Sequence, residues 1–260
     1  VVFINMGIKD NILTTFPQKD ELAPQIWEID SDSGEFFMQD EVRTQLLKIT
    51  NEFLDFIDLD NLNCDIVTRD CDIEDVVVTG SISNFNWSSF SDIDLHIILD
   101  YSDVDENKKL IKNFLNAKKN LWNASHNIEI RGFEVEVYAQ DSKETHFSSG
   151  VYSILFNNWV VKPEYVDSEI DVDKIISKSK GWMDMIDELH SRQYNQTAEE
   201  TLEVIDKIKK KLKKFRSCGL EEGGEYSYEN LAFKFLRRSG YIKRLFELKN
   251  ELVDDSLSMN

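Results

Sequence analysis

The stretch that decides the fold begins Val76-Val77-Val78-Thr79-Gly80-Ser81. It passes through the Ser- and Asn-rich segment Ile82 to Ser91 and resumes as Asp92-Ile93-Asp94-Leu95-His96-Ile97-Ile98-Leu99. β-Branched residues stopped by Gly-Ser read as a buried strand and its turn. The second run alternates at its start and is wholly apolar at its end, which predicts another strand over Ile93 to Leu99. The intervening segment reads as a loop or a short helix. Side chains on a strand repeat every second residue, so Asp92 and Asp94 project from one face. Two carboxylates held that close repel each other, and a cation between them relieves the repulsion. Hard oxygen ligands in this arrangement suit Mg²⁺, which keeps waters and phosphate oxygens in its other positions. Gly80 lets the backbone approach a phosphate, and the Ser81 hydroxyl with nearby N–H groups can hold one.

Upstream, Val42, Leu46, Ile49, Phe53 and Phe56 recur at helical spacing and predict a helix over Asp40 to Ile57. Downstream, Asn107 to Trp122 reads as a second helix. Asn127 to Tyr138 alternates, with Gly132 marking a turn or bulge between two strand pieces. On that strand Glu134 and Glu136 share the non-apolar face, and Glu136 lies deeper in the regular run. From about Asp141 onward the pattern becomes helical. A short helix is expected over Ser148 to Trp159, then longer ones over about 168–190, 197–216 and 227–252. These elements place a boundary near residue 145. Residues 1–145 form a mixed α and β core with an apolar N-terminal arm, and residues 146–260 form a helical lobe.

The ordered set of apolar strand, Gly80-Ser81, spaced Asp92-Ile93-Asp94 and the acidic strand Phe133-Glu134-Val135-Glu136-Val137-Tyr138 resembles the signature of the DNA-polymerase-β-like nucleotidyltransferase superfamily. The stretch Ser149-Gly150-Val151-Tyr152-Ser153 and the rest of the chain look like nucleotidyltransferase-like proteins of tailed phages. The resemblance implies an α+β fold, in which a mixed sheet with flanking helices is followed by a C-terminal helical lobe. It implies transfer of a nucleoside monophosphate from a nucleoside triphosphate to an acceptor, with release of pyrophosphate. Asp92, Asp94 and Glu136 would hold two Mg²⁺ ions, with Mn²⁺ as a substitute, and Gly80 and Ser81 would hold the triphosphate. The superfamily more often has Asp where this chain has Glu136, which is a departure. Tyr152 is expected either to stack on the nucleotide base or to pack in the core. Arg237 and Arg238 are candidates to neutralise phosphate charge. A second reading keeps the fold without catalysis, as a nucleotide-binding, regulatory or structural phage protein. The intact acidic set favours the first reading.

Composition narrows the field further. The chain carries 49 acidic and 30 basic residues, and the whole net charge of −19 falls on residues 1–106, where 24 acids face 5 bases. So acidic a first part argues against broad nucleic-acid binding there. The basic run Lys207, Lys209, Lys210, Lys211, Lys213, Lys214 and Arg216 is interleaved with Ile205, Ile208, Leu212 and Phe215 at helical spacing. It predicts an amphipathic helix whose outer face is either simply solvated or a track for an RNA acceptor or for triphosphate. His96 continues the face of Asp92 and Asp94, and Trp87 is read mainly as a loop anchor. Cys64, Cys71 and Cys218 match no zinc spacing and are expected to be reduced and inert. With no apolar run long enough for a membrane span and no signal peptide, the chain reads as cytoplasmic, in the host cytoplasm if phage-encoded.

Overall fold

The computed structural model describes residues 19–57, 64–65, 70–71, 73–144, 148–165, 170–192 and 197–259. The apolar N-terminal arm lies outside the described residues. The chain divides into two compact units, one of Pro17–Asp167 and one carried by Ser168–Asn260.

The first unit is α+β. A hairpin of β1 (Trp27–Ile29) and β2 (Phe36–Met38) leads into helix α1 (Asp40–Ile57). A two-residue ladder of β3 (Cys64–Asp65) and β4 (Asp70–Cys71) follows. Then come β5 (Ile73–Thr79), β6 (Ile93–Leu99), the short α2 (Tyr101–Val104), α3 (Lys108–Ser125), β7 (Glu129–Ile130), β8 (Phe133–Asp141), β9 (Val151–Ser153) and β10 (Asn158–Val161). Six of these strands form a mixed sheet in the order β10-β9-β5-β6-β8-β7. Only the β6–β8 pair is parallel, and α3 makes the crossover that a parallel pair needs.

Alternation explains the layers. Val76, Val78, Leu95, Ile97, Val135 and Val137 face one side and are buried. Against them α1 packs Leu46, Ile49 and Phe53, and α3 packs Ile111, Leu115 and Trp122, all within one apolar core. Burial of each such side chain contributes roughly 1.5–3 kcal/mol. The opposite side of the same strands carries Asp94 and His96 on β6 and Glu136 and Tyr138 on β8. The β7–β8 turn is a two-residue hairpin loop, with Arg131 at φ 51 and Gly132 at φ 89. Positive φ at both positions matches the right-handed strand twist. Arg131 is held there by bonds to the Gln25 carbonyl, Gln39 and Glu41.

The second unit is helical: α4 (Val172–Arg192), α5 (Ala198–Gly223), α6 (Tyr228–Arg238) and α7 (Tyr241–Leu257). A capping box between Thr197 and Glu200 starts α5. Ile186, Ile205, Ile208, Leu236, Leu245 and Leu248 form its main core.

Three expectations are corrected. Ser148 to Trp159 is not a helix, because Val151–Ser153 pairs with β5 and turns back as β10. Its apolar residues satisfy either period over so short a length, and the neighbouring β5 edge decides between them. The unit boundary therefore falls after Asp167, not near residue 145. The last predicted helix is also two helices. The chain breaks at Ser239-Gly240, where Gly240 takes φ 80 and its N–H bonds the Arg237 carbonyl.

Tyr152 belongs to the core. It is opposite Val78 in the ladder, stacks edge-on against Trp27 and Trp159 at 5.0 and 4.9 Å, and is 1% exposed. Its hydroxyl donates to Asn157 Oδ1 and accepts from the Met38 N–H. Tyr152→Ala should therefore lower unfolding stability by roughly 3–5 kcal/mol. Tyr152→Phe, which orphans two polar partners, should cost about 1–2 kcal/mol. Urea denaturation of both variants measures this, and an unchanged midpoint for Tyr152→Ala would contradict the core assignment.

Candidate metal centre

The centre is built by register. Asp94 on β6 lies directly beside Glu136 on the parallel strand β8, and on its other flank it is opposite Thr79 of β5. Asp92 is two residues before Asp94, so it extends the same face from the mouth of β6. The result is a cluster in which one carboxylate oxygen from each of Asp92, Asp94 and Glu136 lies within 4.8 Å of the others. All three side chains are half-buried. Glu134 is one pleat further along β8, opposite Glu129 of β7, and is exposed.

The turn that follows β5 closes on this cluster. Gly80 adopts φ 83, a region that disfavours any side chain. A Cβ there would come 2.3 Å from Asp94 Oδ2, so only glycine lets that carboxylate lie against the backbone. Ser81 opens a single 3₁₀ turn, Ser81–Ser83, with Ser83 N–H bonding the Gly80 carbonyl. The loop after it is tied at both ends, since Ser81 Oγ and Ser91 Oγ share a bond of 2.8 Å and Ser91 Oγ accepts from the Ser88 N–H. Ser91 immediately precedes Asp92, so this clasp fixes the Gly80-Ser81 turn and the first carboxylate together.

Two further supports were not legible in the sequence. The segment Ser148-Ser149-Gly150 clamps the turn, with Ser148 Oγ accepting from the Gly80 N–H at 3.3 Å and Ser149 Oγ accepting from Asn84 Nδ2 at 3.0 Å. Gly150 lies so close that a Cβ would meet the Ser83 carbonyl oxygen at 2.0 Å. From the core side, Trp27 Nε1 donates to the Ile82 carbonyl at 2.8 Å. The sequence of Ser148 and Ser149 carries no signal of this clamp, because the stretch reads as a helix start.

Behind the carboxylates, Tyr138 donates its hydroxyl to Glu136 Oε2. Burial pushes the Tyr138 hydroxyl well above its ordinary range, and the negative charge of Asp94 and the bond to Glu136 add to the effect. It therefore stays a donor at every working pH. The His96 ring stacks on Tyr138 at 4.7 Å, and His96 Nδ1 bonds Gln140 Oε1 at 2.8 Å. A carbonyl oxygen only accepts, so Nδ1 carries the proton. His96 thus packs beneath the site. Tyr138 and Gln140, at two and four residues from Glu136, were readable from strand alternation alone.

No family model, curated protein or solved structure matches the chain. The reading of the centre therefore rests on its donor set. An octahedral Mg²⁺ sits ~2.1 Å from each ligand, so facing oxygens are ~4.2 Å apart. Three oxygens within 4.8 Å of one another are close enough for small side-chain rotations to bring them onto one ion, and the all-carboxylate chemistry suits a hard divalent ion.

Tyr152 does not join this cluster. Tyr152 is on the opposite face of the sheet from Asp94, because its ladder partner Val78 points into the core; the ring is not available to a base. Trp87 anchors its loop, donating Nε1 to the Glu21 carbonyl at 2.9 Å. Arg237 and Arg238 close the last turn of α6, and Lys207–Arg216 lies on α5, all in the helical unit. Among the described residues no helix is long and apolar enough to cross a membrane.

Gly80→Ala is the sharpest probe of this geometry. The added methyl must displace the Asp94 carboxylate. Mn²⁺ affinity, followed by the paramagnetic resonance of free Mn²⁺, should fall at least tenfold. Folding stability should drop by only ~1–2 kcal/mol, the cost of a non-glycine residue at positive φ. Tyr138→Phe should weaken Mn²⁺ binding by about tenfold as well, since it frees Glu136 from its orienting donor.

Proposed function

We propose that the α+β unit is the catalytic core of a metal-dependent nucleotidyltransferase of the polymerase-β-like kind. It transfers a nucleoside monophosphate from a nucleoside triphosphate to a hydroxyl or phosphate acceptor and releases pyrophosphate. The observation that carries this is the convergence of Asp92, Asp94 and Glu136 on one sheet face against a glycine turn that only a missing side chain permits. Such an arrangement is costly for a purely structural surface, because three carboxylates gain nothing from each other's company.

The residues divide the work. Asp92 and Asp94 would hold the divalent ions, Mg²⁺ or Mn²⁺, and Glu136 would complete the set. When bound, the ions supply positive charge to the phosphate oxygens and lower the proton affinity of the attacking hydroxyl. Glu136 has Oε2 engaged by Tyr138, which leaves Oε1 to the ion or to the acceptor's proton. Ser81 sits beside the carboxylates with a hydroxyl that can exchange its Ser91 partner for a phosphate oxygen. The clamp of Ser148 on Gly80 and the bond from Trp27 to the Ile82 carbonyl hold that turn ready, so little ordering remains to be done on binding. The mixed sheet order, with antiparallel β5–β6 and parallel β6–β8, supports the same family reading.

The test is incubation of the chain with each of the four labelled ribonucleoside triphosphates, with Mg²⁺ or Mn²⁺ and with or without total RNA. Pyrophosphate release and product mass are followed. Turnover should require the metal, and Asp94→Asn should reduce it by at least a thousandfold, ~4 kcal/mol of transition-state stabilisation. The same variant should stay folded, with apo stability equal to or above that of the parent, because one repulsive charge is gone. Full turnover by Asp94→Asn would refute the assignment. Nucleotide binding with no pyrophosphate release from any mixture would make the chain a binding module.

A further inference from the structure

The helical unit carries a groove that this chemistry does not use. It has a volume of about 630 Å³, within the range of ligand sites, and it lies between α5, α6 and α7. Its floor is apolar: Leu212 and Leu220 from α5, Phe233 from α6, and Ile242, Leu245 and Phe246 from α7. Along its α5 side the stripe Asp206, Lys209/Lys210, Lys213, Arg216 and Leu220 repeats every three or four residues, so one helical face forms a wall. The fourteen steps from Asp206 to Leu220, at ~1.5 Å each, make that wall ~21 Å long.

The wall is basic. Lys209, Lys210, Lys213 and Arg216 stand against one carboxylate, Asp206, whose Oδ1 already pairs with Lys249 Nζ at 2.7 Å. Two of the cations lie over the aromatic floor. Lys209 Nζ is 4.0 Å from the centre of the Phe246 ring, and the Arg216 guanidinium is 4.8 Å from that of Phe233. The net charge of −19 falls on residues 1–106, so in the charge-balanced remainder of the chain this wall is a local concentration of positive charge joined to an apolar trough. A partner that seats apolar side chains on the floor therefore brings its flanking charges up to the cations.

We infer that this groove binds an amphipathic helix of a partner protein, about four turns long, with an apolar stripe for the floor and acidic residues along the α5 side. The charge on the wall selects the acidic flank, and the shape of the trough selects the helix. The groove is open along its length: Phe246 is 44% exposed, and Lys210 and Lys213 are exposed on the rim. A small amphiphile would be left largely in water there, whereas a helix buries one face and keeps the other solvated. Single-stranded RNA fits less well. Of the floor residues only Phe233 and Phe246 offer a ring to a base, and Arg216 and Lys209 already lie over them, while the exposed Lys207, Lys211 and Lys214 lie outside the groove.

The probe is a fluorescein-labelled peptide of about sixteen residues, helical in design, with Leu at i, i+3, i+4 and i+7 and Glu on both flanks. Anisotropy with the full chain should report a dissociation constant on the order of micromolar. Phe246→Glu and Lys213→Glu should each weaken binding at least tenfold, and Lys211→Glu, exposed and outside the groove, should change it less than twofold. Equal affinity for a scrambled peptide of the same composition would overturn the proposal. So would tighter binding of a sixteen-nucleotide oligouridylate that the peptide cannot displace, or an effect of Lys211→Glu as large as that of Lys213→Glu. Concentration-dependent self-association abolished by Phe246→Glu, without peptide binding, would reassign the groove to a second copy of this chain.

Discussion

Three carboxylates crowd a single point where β6 runs parallel to β8, and the first unit is arranged to keep them there. At 4.8 Å two unit charges repel by ~0.9 kcal/mol in bulk water and by ~3–4 kcal/mol at an effective dielectric near 20. The carboxylates do not attract one another, so the scaffold must hold them together. Backbone register sets Asp94 beside Glu136, the bare backbone of Gly80 admits the Asp94 carboxylate, and the Tyr138 hydroxyl turns Glu136. The core beneath, from Val76 and Leu95 to Phe53 and Trp122, stabilises the strands that impose this geometry.

That constraint explains why so much of the surrounding detail is bracing. The 3₁₀ turn after Gly80 is held by Trp27 from the core side, by Ser148 and Ser149 from the approach to β9, and by the Ser81–Ser91 clasp along the loop. Each bond is worth only about a kilocalorie per mole. Together they restrain the turn against the Asp94 carboxylate. The aromatic cluster of Trp27, Tyr152 and Trp159 then ties the β1–β2 hairpin to β9 and β10. The tie is reinforced by Trp159 Nε1 donating to the Phe36 carbonyl.

The helical unit follows a different logic. Its charge lies on one wall of α5 above a trough of leucine and phenylalanine, far in sequence from the carboxylates. A basic run read one-dimensionally suggests a track for phosphates. Folded, its residues separate by helical phase, four lining an apolar groove and three facing away. Recognition by shape and charge together distinguishes a peptide helix from a polyanion.

What the sequence determined by itself was local and periodic. The α1 helix from Asp40 to Ile57, the strand from Ile93 to Leu99, the shared face of Asp92 and Asp94 and the glycine turn at 132 all follow from repeats of 3.6 or 2 and from turn chemistry. Only the tertiary structure decided that Val151–Ser153 is a strand, because a three-residue apolar segment satisfies either period until the edge of β5 offers it a ladder. Tertiary structure likewise sent Tyr152 into the core, split the final helix at Gly240, and placed Glu136, not Glu134, in the cluster. The sequence already favoured Glu136 as the deeper of the two in the regular run, but only the register with a neighbouring strand puts it next to Asp94.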